Sequence, residues 1–182
     1  MSNRMLGILC MIGGVVMTIA GFTVGSFANT PGIIAGIVWA IGGIAGLVGL
    51  IQLGALGESA VTRALGFVPI IGFLSLAIGS VMQLAGMVGD DSVLFGIGWG
   101  LQLVGMVLVA VLVIAAKRWR GWRRFTPLLT IVTVPVAFGL GQALGDEYLG
   151  LTATLVYIAW ILLGYAVATA EPAPAAERAA AV

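Results

Sequence analysis

Along this chain, apolar runs long enough to cross a bilayer alternate with short polar breaks. The runs are Met5–Ser26, Ile33–Leu53, Gly66–Val88, Val93–Ala116, Phe125–Leu144 and Leu149–Ala170. A hydrocarbon core about 30 Å thick needs roughly 20 helical residues to span it. Each run meets that length without an Asp, Glu, Lys, Arg or His. The runs are too long for barrel strands, which alternate over ~10 residues. The pattern predicts an all-α polytopic membrane protein with six transmembrane helices.

The same landmarks return along the chain. Arg4, Arg63 and Arg124 each open an apolar stretch, and Trp39, Trp99 and Trp160 follow them by 35, 36 and 36 residues. A polar turn lies between each Arg and its Trp: Ala28 to Pro31, Gly89 to Ser92, and Gly145 to Tyr148. Repetition of both landmarks and turns predicts one helical hairpin written three times, over approximately 4–53, 63–116 and 124–170. Turns this short force the paired helices antiparallel. Every hairpin enters from the same side, so the repeats are parallel, unlike the inverted repeats of many transporters. Residues 1–170 are expected to form the transmembrane domain, and the Ala- and Pro-rich residues 171–182 a disordered tail. The first run is expected to be a retained helix rather than a cleaved leader, because no small-residue cleavage site precedes a soluble domain and more membrane follows.

Charge sets the expected orientation. Arg4, Arg63, Lys117, Arg118, Arg120, Arg123, Arg124 and Arg178 all fall on one side, whereas the opposite turns carry Asp90, Asp91, Asp146 and Glu147. The positive-inside rule then places both termini in the cytoplasm; the membrane expected is a bacterial inner membrane. With 61% hydrophobic and 8% charged residues, the chain lacks the polar surface of a soluble domain, which carries about 25% charge. A net charge of +1 gives no field for nucleic acid.

Composition also excludes chemistries. The chain has no histidine and a single cysteine, Cys10. This removes the commonest metal ligand and neutral-pH acid/base, and any internal disulfide. No phosphate loop, nucleophile elbow or Cys pair occurs. Proton pumps, cation-coupled carriers and voltage sensors rely on charged groups inside the membrane, and the six runs hold none. The two acidic turns read as solvated turns rather than cation sites. The expectation is therefore no catalytic residue, no metal and no cofactor.

What remains are packing and contact residues. Gly32, Gly36, Gly42, Gly43, Gly46, Gly96 and Gly100 sit at helix-packing spacing. Small residues let helices approach closely in lipid, either within the bundle, the plainer reading, or across a dimer face. Trp39, Trp99 and Trp160 read as outer-leaflet anchors or packing residues, with a three-Trp pocket lining as the sharper alternative. Gln83, Gln102 and Gln142 form a candidate polar patch for a small ligand or a quinone headgroup, or else interhelical glue. Gln83 and Gln102 are placed to bond across one hairpin. The spans also carry Thr18, Ser75, Ser80, Thr130, Thr133, Thr154 and Tyr157. The segment Lys117, Arg118, Trp119, Arg120, Trp122, Arg123 and Arg124 is a candidate contact for anionic lipid or a partner, its two tryptophans sharing one face if helical.

Three two-helix repeats that open with Arg4, Met5, Leu6, Gly7 and with Arg63, Ala64, Leu65, Gly66, on Gly-rich helices, resemble the HdeD-type acid-resistance membrane proteins. The third repeat departs, with Arg124, Phe125, Thr126 and Pro127. The resemblance implies six spans and brings no catalytic residue. The expected function is a non-enzymatic membrane scaffold or accessory subunit. Its partners would be the lipid bilayer and other membrane subunits or a second copy, with no nucleic acid. The alternative is a small channel or carrier for a neutral or hydrophobic solute. A polar lumen would favour transport and a dry core the scaffold.

Overall fold

A computed structural model describes residues 1–23, 29–145 and 148–170. The outer end of the first run, Ala28, Asp146, Glu147 and the 171–182 tail with Arg178 lie outside the described residues. Among those described are six helices long and apolar enough to cross a membrane, and no strand. They are α1 (Asn3–Thr23), α2 (Thr30–Gln52), α3 (Ala60–Leu84), α4 (Val93–Ala116), α5 (Thr126–Leu144) and α6 (Leu149–Ala168). These are the marks of a multi-pass membrane protein.

Local chemistry sets the helix ends. Asn29 starts α2, its side chain accepting the Gly32 amide at 2.9 Å. Ser59 starts α3 by accepting the Thr62 amide at 3.0 Å, so α3 begins at Ala60 rather than Gly66 and takes Arg63 into its first turns. A side-chain oxygen at this position satisfies an amide that the helix cannot. The same helix stops at Leu84 rather than Val88 because Gly86 turns left-handed at φ 69°. There the Gly86 and Met87 amides close onto the Gln83 and Met82 carbonyls. The end of α4 is marked by Lys117 at φ 53°, left-handed for a residue with a Cβ.

From α1 to α4 each helix runs antiparallel to the next, and α6 returns to pack along α1. Gly7, Gly14 and Gly21 of α1 face α6 near Gly164, Ile161 and Gly150 in turn. Neighbouring helices α4 and α5 touch least. No hydrophobic force pairs helices in lipid, so close approach of backbones has to do so. At the α1–α2 contact, a Cβ on Gly42 would lie 3.1 Å from the Gly13 Cα and 2.9 Å from the Leu9 carbonyl oxygen. In α4, Gly105 receives the ring of Pro69 from α3.

Candidate functional site

The centre of the bundle is filled by aromatic rings from separate helices. Trp39 of α2 meets Phe73 of α3 at 5.0 Å between centroids, Tyr157 of α6 at 5.6 Å, and Trp99 of α4 at 5.7 Å. Trp160 of α6 stands edge-on to Trp39 at 6.2 Å and to Phe73 at 5.1 Å. Offset and edge-to-face pairs at 4.5–7 Å are the favourable arrangements of the ring quadrupoles. Trp39, Phe73 and Trp160 are fully or almost fully buried, whereas Trp99 is 39% exposed. Trp39 and Trp160 are thus core residues rather than interfacial anchors, and the three tryptophans meet. Tryptophan's interfacial preference speaks to depth in the bilayer, not to which way a helix face turns.

Beside this cluster is a cleft of about 160 Å³, lined by residues of α1, α2, α3, α4 and α6 and by none of α5. Trp39, Trp99, Tyr157 and Phe95 supply aromatic walls, Gly36 leaves space, and Ser80 and Gln83 supply polar groups. No charged side chain lines it.

The polar side chains of the spans do not gather as one patch. Gln83 lines the cleft, with its Nε2 donating to Asp90 Oδ1 at 3.4 Å. Gln102 is buried level with Gly72, and its Oε1 has no partner. Gln142 is exposed on α5. Gln83 therefore bonds to its own turn rather than to Gln102, which lies too far along the hairpin. Thr18, Thr130, Thr133 and Thr154 donate to carbonyls of their own helices. Ser75 donates across the α3–α4 contact to the Leu94 carbonyl at 2.8 Å. Ser80 has no partner among the described residues, although its side chain is buried.

Comparison with known families, curated proteins and solved structures finds no match.

The candidate glycines divide. Gly32 is buried in the first turn of α2. Gly42 packs on Gly13, Gly43 on the Phe73 ring, and Gly46 on the Cys10 sulfur. Gly36, Gly96 and Gly100 face open space. In α4 the internal contacts are made instead by Gly98, against Leu76 and Gly72, and by Gly105. Spacing alone shows that faces exist, not which one turns inward. Gly98 sits on the face opposite the Gly96 and Gly100 pair.

The basic segment is not one helix. Residues 117–120 are irregular, and a short 3₁₀ turn covers Gly121–Phe125. Trp119 consequently turns into the core while Trp122 lies exposed, stacked on Tyr165 at 6.1 Å. The expected shared face of Trp119 and Trp122 does not form. Gly121, at φ 63°, was the sequence signal for that break. Arg118 binds Glu58 at 2.7 Å and so ties this segment to the α2–α3 connection. Arg124 lies over the Phe125 ring at 4.6 Å. Lys117 and Arg120 are exposed, and Arg123 is half-buried.

Proposed function

We propose that the protein is a non-enzymatic integral membrane scaffold or accessory subunit that packs against other membrane helices. The observation that carries this reading is the buried aromatic cluster in which Trp39, Phe73 and Trp160 join α2, α3 and α6. A conduit needs a lined passage with polar groups along it, and these rings make a dry core. Gly96 and Gly100 of α4 lie exposed with open space before them, beside exposed Ile97 and Val104. That lipid-facing side of α4 suits a further helix, whether a second copy or another subunit.

The same reading places the chain in a bacterial plasma membrane with both termini cytoplasmic. Support comes from Arg4, Arg63 and the Lys117–Arg124 segment, all at one end of the bundle, where Arg118 reaches Glu58. It also takes the three hairpins as repeats of one unit, supported by the return of Trp39, Trp99 and Trp160 to one cluster.

Flux through liposomes separates the scaffold from a carrier. The reconstituted protein should leave permeability to small neutral solutes such as glycerol at the protein-free level. Protein-dependent, saturable flux would replace the scaffold with the carrier.

A further inference from the structure

The cleft beside Trp39 carries a polar group that the fold leaves unanswered. Ser80 lines it and is only 9% exposed, yet has no hydrogen-bond partner among the described residues. Its hydroxyl is not sealed off, whereas the unpartnered Trp39 indole N–H is. A buried donor without an acceptor is costly in an apolar setting. Within the spans, by contrast, the threonine hydroxyls turn back onto their own helices. A serine hydroxyl is free to donate, so an acceptor in the cleft answers it.

The walls define the rest of that ligand. Trp39, Trp99, Phe95 and Tyr157 present ring faces and edges, which favour a flat ring over a flexible chain. The absence of charge in the lining selects an uncharged molecule, since a charge in such a site would lack compensation. The free volume of about 160 Å³ matches one six-membered ring, because a cavity of ~150 Å³ holds benzene. We propose that this cleft binds the flat, uncharged, carbonyl-bearing ring of a lipid-soluble molecule, of which a benzoquinone head is the simplest case. Its carbonyl oxygen accepts from Ser80, and its ring lies against Trp39 and Trp99. The proposal concerns binding alone and stands apart from the scaffold reading.

Gly36 gives a clean way to close the site. It lines the cleft, and a Cβ there meets nothing within 4 Å, so a larger side chain enters the space without pressing on a neighbour. The full chain, purified in detergent, is titrated with decyl-benzoquinone and followed by tryptophan quenching. Wild type should quench saturably. Gly36→Leu should abolish saturation, and Ser80→Ala should weaken binding about three- to tenfold, as loss of one neutral hydrogen bond does. Should thermal unfolding show Gly36→Leu misfolded, wild-type saturation and Ser80→Ala decide alone. Quenching that rises linearly and equally in all three proteins reflects partition into the micelle and overturns the site. Equal displacement of the probe by decylbenzene, which has no carbonyl, also overturns it, by making the cleft a slot for alkyl chains.

Discussion

Trp39 and Trp160 cross at 89° with ring centroids 6.2 Å apart, and neither indole N–H has a partner. Two helices distant in sequence are joined there by ring edges rather than by hydrogen bonds. Phe73 touches both rings, so α2, α3 and α6 share one contact.

Removing Trp160 should therefore loosen all three helices at once. Trp160→Ala leaves a void at a fully buried site, and such truncations cost about 3–5 kcal/mol. Trp160→Phe keeps a ring while deleting the unpaired N–H, so it should cost less than half as much. Thermal unfolding in detergent measures both. Equal stability of Trp160→Ala and wild type would remove the cluster from the core.

The contacts of α2 with α1 and α3 make a second, more local expectation. Gly42→Leu would drive its side chain into Gly13 and the Leu9 carbonyl, and Gly43→Leu into the Phe73 ring at 2.6 Å. Overpacking of this kind typically costs 1–3 kcal/mol and more where backbone blocks the way. Gly100→Leu meets open space and should leave the fold's stability unchanged. The comparison by thermal unfolding fails the account if Gly100→Leu is as damaging as Gly42→Leu.

Orientation is checked by labelling. Single cysteines at Asn29 and Ser92 on a Cys10→Ser background should react with an impermeant reagent added outside intact cells. Both positions cap helices at the end opposite the basic residues. Reaction only after permeabilisation would reverse the topology.

The helices themselves were legible because uninterrupted apolar length is a local property. The departures have local causes too. The Ser59 cap starts α3 early, Gly86 ends it early, and Gly121 breaks the basic segment so that Trp119 and Trp122 part. Which face of a helix turns inward was not legible, because it depends on partners far along the chain. Gly96 and Gly100 have the spacing of a packing pair, yet Gly98 and Gly105 make the contacts within the chain. The cleft was likewise out of reach. Ser80 differs from the spans' other hydroxyls only in having nothing to bond, which five helices decide together.

At the basic end, Arg118 is already engaged by Glu58, so lipid attraction should rest on Lys117, Arg120 and Arg123. Replacing those three with Gln should lower binding to anionic vesicles, by roughly 1 kcal/mol for each charge near the surface. The wild-type advantage should shrink with salt, as screening of exposed charges requires. Arg118→Gln alone should change vesicle binding less than Arg120→Gln. Unchanged binding in the triple variant, with an ordered protein covering the segment, would make it a docking site for that protein instead.

The scaffold reading is tested most directly by the mass and composition of the complex released from its native membrane in mild detergent, read by native mass spectrometry. The wild-type chain should carry a second membrane subunit or a second copy of itself in fixed ratio. Gly96→Leu and Gly100→Leu, still folded, should lose it. A wild-type chain that leaves the membrane alone, as a folded monomer indistinguishable from both variants, would contradict it.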